Sequence, residues 1–176
     1  MTEFVLGGGC FWCLDAVFRR LRGATKVECG YAGGNVSSPT YAQVSTGTTG
    51  HAEVVRIQFD EKVIPADTVL DIFFLAHNPT TPGRQGADIG PQYRSIMLFT
   101  GAKQKELFEA AALRAQSNWT DPLVTEIVPL TAFYIAEKEH QDYFNKNPEA
   151  GYCQLVIAPK VSKARKEYTK WFKEEL

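Results

Sequence analysis

Apolar positions along the chain switch repeatedly between a two-residue and a 3.6-residue period, and the switches predict its elements. Phe4-Val5-Leu6 is a short apolar run ended by Gly7-Gly8-Gly9, the pattern of a strand entering a tight turn. Leu14, Val17, Phe18 and Leu21 then recur at helical spacing, predicting a helix from near Cys10 to near Gly23. Val27, Cys29 and Tyr31 alternate with Lys26, Glu28 and Gly30. Val55, Ile57 and Phe59 alternate with Val54, Arg56 and Gln58, so two half-buried strands follow. Beyond Pro65, the residues Val69, Ile72, Phe73 and Ala76 share one face of a helix over 66–77. A strand is predicted over 95–99, a helix over 103–117, a strand over 124–130 and a helix over 137–144. Residues 145–161 read as an irregular tail before a final amphipathic helix ending at Leu176.

One strand pair follows in direct succession, which suits an α+β fold better than a doubly wound parallel sheet. The expected architecture is a two-layer α/β sandwich with a mixed sheet: a ferredoxin-like core, long functional loops and an irregular C-terminal segment. No repeat or linker-like shift interrupts it, so residues 1–176 are expected to form a single domain. Two long loops, 32–53 and 78–92, are where chemistry is expected, because long loops in compact domains are usually functional.

Nineteen basic and twenty acidic side chains leave a formal charge of -1, without the basic excess of a nucleic-acid binder. No stretch reaches the roughly 18 to 20 apolar residues of a membrane span, and Met1-Thr2-Glu3-Phe4 lacks the start of a signal peptide. A cytoplasmic protein is therefore expected, with no membrane or nucleic-acid partner.

Four cysteines, Cys10, Cys13, Cys29 and Cys153, change the picture more. A chain of this size in a reducing compartment does not need disulfide staples. One close pair with two isolated thiols does not fit a four-thiolate zinc site, and no metal is expected. Cys29 alternates into the core face of its strand. Cys10 sits where a glycine turn enters a helix, so unpaired amides and the helix dipole predict a stabilised thiolate there. Cys10-Phe11-Trp12-Cys13 is also a CxxC pair, which keeps a thiol-disulfide oxidoreductase open as an alternative. A non-catalytic peptide-binding domain is a third reading.

Gly9-Cys10-Phe11-Trp12, Gly30-Tyr31-Ala32-Gly33-Gly34, Gly50-His51-Ala52-Glu53 and the run from Arg84 to Ser95 appear in this order. Together they strongly resemble the peptide methionine sulfoxide reductase A family, which acts on the S epimer of the sulfoxide. The resemblance runs from about residue 4 to 165. It implies a Cys10 thiolate that attacks the sulfoxide sulfur, releasing methionine and leaving a Cys10 sulfenic acid. Sulfoxide oxygen leaves poorly unless protonated, and a desolvated carboxylic acid would serve. By position alone Glu53 is either an exposed strand-edge residue or that acid; the resemblance assigns it the acid.

The resemblance also places Tyr41 and Tyr93 at the oxygen as hydrogen-bond donors. It places Phe11 and Trp12 around the ε-methyl group, and Asp88 on the substrate backbone. No bound cofactor is implied. Condensation of the sulfenic acid with a second thiol would give a disulfide that thioredoxin, or dithiothreitol in vitro, reduces. Cys153, in a glycine-containing and mobile-looking segment, resembles the family's resolving cysteine and is favoured. A monomer is expected.

The sequence departs from the commoner family pattern at three points. Cys13 stands where glycine is usual and could itself resolve Cys10. Gly83 and Ala87 stand where asparagines are frequent. No cysteine follows Cys153. Among the histidines, His51 is expected to order the loop before Glu53, while His77 and His140, on predicted helices, receive no catalytic role; a cysteine-histidine hydrolase is the weaker reading.

Overall fold

The computed structural model describes residues 1–175, and Leu176 lies outside them. Strand β1 (Thr2–Gly7) is apolar at consecutive positions because both of its faces are covered. It runs through the middle of a six-stranded sheet of order β7-β6-β1-β3-β2-β8. The other strands are β2 (Ala24–Ala32), β3 (Ala52–Phe59), β6 (Ile96–Phe99), β7 (Glu126–Pro129) and β8 (Phe133–Ile135). All pairings are antiparallel except β6 with β7, so the sheet is mixed. The inner order β6-β1-β3-β2, with α1 (Phe11–Arg19) and α3 (Ala66–Leu75) as crossovers, is the expected ferredoxin-like core.

Period-two alternation divides the strands between two hydrophobic layers. Phe4, Leu6, Val55, Ile57, Phe59, Cys29 and Tyr31 face α1, α3, α4 (Ala102–Gln116) and α6 (Ala158–Glu167), where the main core lies. Val5, Ala32, Ala52, Val54, Ile96 and Leu98 form a smaller cluster with Val128, Leu130 and Phe133. The 32–53 loop carries a short helix, α2 (Tyr41–Ser45). The 78–92 loop carries a two-stranded hairpin, β4 (Arg84–Gln85) with β5 (Asp88–Ile89), then a 3-10 turn, Pro91–Tyr93.

The C-terminal third departs from its expected form. Instead of one helix over 137–144 there is a 3-10 turn, Lys138–His140, and a short α5 (Tyr143–Lys146), parted at Asp142 by a left-handed φ of 55°. The Gln141 side chain explains the break. It accepts the Cys29 N–H at 2.8 Å and donates to the Cys29 carbonyl at 3.0 Å, filling the β2 edge just beyond β8. β8 itself went unread in the sequence. It lies against β2 where a side chain at Gly30 would strike the Phe133 ring, 2.3 Å from Cβ.

Nor is 145–161 an irregular tail. Helical backbone runs over 151–167, with a π-helical turn at Cys153–Ile157 leading into α6. Cys153, Ile157, Val161 and Ala164 form its buried stripe, which gives this segment its stability. Pro159 obscured the helix in the sequence; a proline ring clashes with the carbonyl four residues back, and the wide turn just ahead makes room for it. The expected final helix to Leu176 is therefore displaced toward the N-terminus. α6 ends at Glu167, a 3-10 turn Thr169–Trp171 follows, and Phe172 bridges to Leu21.

Candidate active site

Cys10 is the N-cap residue of α1, and the turn before it dictates its position. Gly9 has φ 93°, and a Cβ there would lie 2.6 Å from Gln85 Cγ, so only glycine brings β1 this close to the β4 hairpin. The first amide of α1, Phe11 N–H, has no carbonyl partner within the helix and donates to Glu53 Oε1 at 3.1 Å. Glu53 lies near the start of β3, opposite Tyr31 of β2, and is 1% exposed. Its other oxygen, Oε2, is buried with no hydrogen-bond partner. Burial pushes the Glu53 carboxyl up to about 8, against the Phe11 N–H, with the Asp88 and Cys13 charges adding to the rise. At neutral pH Glu53 holds its proton.

Cys10 itself differs from expectation. Burial raises its thiol well above the ordinary value, helped by its hydrogen bond to Cys13 and the nearby Glu53 charge; the Trp12 amide opposes the rise. The helix terminus is therefore not enough to ionise it. Cys13, which accepts that hydrogen bond, is instead brought down to about 7, with the Lys160 ammonium contributing and burial opposing. The negative charge of the pair thus rests on the inner sulfur.

Two phenols border the carboxyl. Tyr41 opens α2, which is fixed by a capping box between Thr40 and Gln43, and its own N–H donates to Glu137 Oε2 at 2.9 Å. Tyr93 closes the Pro91–Tyr93 turn, and the next residue, Arg94, ties this turn to the Gly50 carbonyl ahead of Glu53. Burial chiefly, then the Glu53 charge, raises both phenols, Tyr41 to about 12, so each remains a donor.

Phe11 is wholly buried among Tyr31, Tyr41 and His140 and forms the floor of the site. Trp12 is half-buried. It stacks on Tyr143 with ring centroids 3.7 Å apart and meets Tyr152 edge-on at 5.8 Å. Asp88, on β5, accepts the Tyr152 hydroxyl at 2.6 Å. Cys153 is entirely buried within its helical turn, and burial raises its thiol; this is not the mobile, irregular segment expected of it. Cys29 is buried core, as expected.

His51 orders its loop as expected: its Nδ1 accepts the Gly34 N–H at 3.0 Å and its Nε2 meets the Val36 carbonyl at 2.7 Å. His77 is buried between Phe73 and Ser95 and pushed down to about 4, so it is neutral. His140 was missed. It lies 4.3 Å from the Tyr41 ring, and Trp12 Nε1–H donates to its Nδ1 at 3.2 Å. Tyr152, Tyr143 and Glu137 were missed with it. Their signal was the cluster of aromatic and polar residues over 137–152, which reads in the sequence as a helix over 137–144 followed by an irregular tail.

A thiol and a protonated carboxyl joined through one backbone amide, walled by phenols and an indole, form a water-poor site for moving oxygen between sulfurs. The peptide methionine sulfoxide reductase family model matches residues 2–172. The chain belongs to this family. It is 56% identical over 171 residues to peptide methionine sulfoxide reductase MsrA of Paenarthrobacter aurescens (strain TC1), covering 97% of this chain and 98% of that one. It is 49% identical to MsrA of Thermus thermophilus, covering 93% of each. Among solved structures, reduced Mxr1 from Saccharomyces cerevisiae superposes with a TM-score of 0.80 at 32% identity, over 86% of this chain and 88% of that one. Methionine sulfoxide reductase A of Corynebacterium diphtheriae gives 0.75 at 33% identity, over 84% and 76%. No helix among the described residues is long and apolar enough to cross a membrane.

Proposed function

We propose that this chain is a peptide-methionine (S)-S-oxide reductase that returns methionine sulfoxide, free or in proteins, to methionine. The observation that carries this is Glu53: a carboxyl neutral at pH 7, anchored by one oxygen next to Cys10, with its second oxygen unengaged. An acid so held protonates the sulfoxide oxygen as Cys10 sulfur attacks, while Tyr41 and Tyr93 donate to the same oxygen. Phe11 and Trp12 hold the methyl end and Asp88 borders the entrance. The product is methionine and a Cys10 sulfenic acid.

Cys13 then condenses with Cys10 to give a disulfide and water. Its contact with Cys10, one helical turn away, supports this order. Cys153, whose thiol is influenced by the Cys13 charge, takes the disulfide onward. Thioredoxin is the reductant; Mxr1 has been solved in complex with Trx2. Residues 1–176 work as one cytoplasmic domain, as a monomer and with no bound cofactor.

Reduced protein given a methionine sulfoxide and dithiothreitol is expected to form methionine, and Cys10→Ser to form none. Methionine formation by Cys10→Ser at the wild-type rate overturns the assignment. The CxxC oxidoreductase reading predicts insulin reduction without methionine.

A further inference from the structure

Cys10 presents a problem that its position alone does not solve. A thiol attacks sulfur poorly, and the thiolate is the nucleophile. Glu53 must keep its own proton for the departing oxygen, so it cannot at the same moment collect the proton of Cys10. Some other group has to take it.

We propose that Cys13 is the proton acceptor for Cys10, and that Tyr152 and Asp88 carry the proton of Cys13 onward to solvent. The inference rests on the reductase reading above. Cys13 lies one turn into α1, its N–H donating to the Cys10 carbonyl at 3.1 Å, and its sulfur is the side-chain neighbour that the Cys10 thiol faces. On its far side, Cys13 Sγ is 3.9 Å from Tyr152 Oη. A phenol has one proton, and Tyr152 gives that proton to Asp88 Oδ2 at 2.6 Å. The Tyr152 oxygen is therefore left to accept from Cys13. While Cys13 is a thiol, the hydrogen bonds point the same way, from the nucleophile outward. Both sulfurs are buried, whereas Tyr152 and Asp88 are half-buried and reach water.

The groups facing Cys13 come from every element around it. Cys10 shares its helix. Tyr152 and Cys153 come from the helical segment 151–157 and Lys160 from α6, while Asp88 belongs to β5 and Glu53 to β3. The Lys160 ammonium and the Cys10 thiol hydrogen favour a Cys13 thiolate; the carboxylate of Asp88 and burial oppose it.

Before reaction Cys13 has lost its own proton to solvent through Tyr152 and Asp88, so that Cys10 is a thiol, Cys13 a thiolate and Glu53 a carboxylic acid. The Cys10 proton moves to Cys13, and the Cys10 electron pair attacks the sulfoxide sulfur. The sulfur–oxygen bond breaks and the oxygen ends on Cys10 with the Glu53 proton. Cys10 is oxidised by two electrons and the substrate sulfur reduced by two. Cys13, now a thiol, then attacks Cys10, and its proton leaves with the hydroxyl as water. One sulfur thereby serves twice.

Single-turnover kinetics without external reductant separate the two roles, since resolution comes after methionine is released. In the wild type, first-turnover methionine formation should rise with pH through a limb near 7. Cys13→Ser should slow that first turnover at pH 7 by about 10²-fold, within the usual range for proton transfer, and shift the limb upward by at least one pH unit. An unchanged rate and limb in Cys13→Ser would overturn the proposal and leave Cys13 only a resolving thiol. Tyr152→Phe is the second variant, for use if Cys13→Ser does not fold. It should slow the first turnover at pH 7 while Cys13 keeps its alkylation by iodoacetamide; a wild-type rate removes the outward chain. No methionine from the wild type itself would instead sink the reductase reading.

Discussion

Glu53 Oε1 accepts the Phe11 N–H at 3.1 Å, while Oε2 of the same carboxyl is buried with no protein partner. One oxygen fixes the group to the turn that carries Cys10, and the other is left for a ligand. Glu53→Gln keeps the anchor and loses the acid. First-turnover methionine formation should fall by about 10²- to 10⁴-fold in this variant. A wild-type rate in rapid-quench assays would remove Glu53 from the reaction.

The same carboxyl links stability to pH. Its value in the folded protein is raised to about 8 from an ordinary 4.5, so between these limits the folded state holds a proton that the unfolded state has released. Stability contributed by the neutral form is present in full below about 4.5 and is lost as pH rises through 8. Catalysis should follow the same limb, declining above pH 8 as Glu53 ionises. Melting temperatures of the wild type and Glu53→Gln, compared from pH 6 to 9, should diverge in favour of the variant at the alkaline end. Parallel curves would contradict a buried neutral acid.

His140 should matter through Trp12 rather than through the proton. Burial lowers its value, so it is neutral and accepts the indole N–H on Nδ1. His140→Ala frees the indole and opens the stack against Tyr41, and kcat/KM should fall roughly tenfold, the loss of one hydrogen bond with its packing. KM should carry most of the change, and His140→Gln, which retains an acceptor, should restore part of it. A fall confined to kcat would point to proton transfer instead.

Gly9→Ala tests the approach to Cys10. Its φ of 93° and the 2.6 Å spacing to Gln85 Cγ forbid a methyl without backbone movement. Denaturant unfolding should show a loss of about 1–2 kcal/mol or more, since left-handed backbone alone costs that for a residue with a Cβ. Activity should fall further than stability, because Cys10 moves with the turn.

Cys153→Ser distinguishes the order of the disulfides. After one equivalent of sulfoxide, mass spectrometry should find Cys10 joined to Cys13 in this variant, while turnover driven by thioredoxin slows. Loss of every disulfide in Cys153→Ser would return the first resolving step to Cys153.

The inner strands and the crossover helices were legible because each buries one face, and Val27, Cys29 and Tyr31 wrote that face out at a two-residue period. The position of Cys10 was legible because a glycine turn before a helix is a local signal. Glu53 by position alone is equally an exposed edge residue, and only the resemblance assigns it the acid. The rest of the site is assembled by contacts between distant parts of the chain. Trp12 and His140 are 128 residues apart, and Cys13 and Tyr152 are 139 apart. No local pattern encodes such a meeting. Gln141 spends its side chain on the edge of β2, so a stretch with helical composition does not form a helix there. Cys10 shows the reverse error, since a helix start predicts an acidic thiol and burial, helped by Cys13 and the Glu53 charge, reverses it.

The outer strands of the main sheet are short: β8 has three residues, and the four of β7 end at Pro129, which has no amide hydrogen to offer. Oxidation-damaged chains are often partly unfolded and ready to add a strand to any open ladder. A repair protein with so little open ladder gives such clients almost no backbone to pair with.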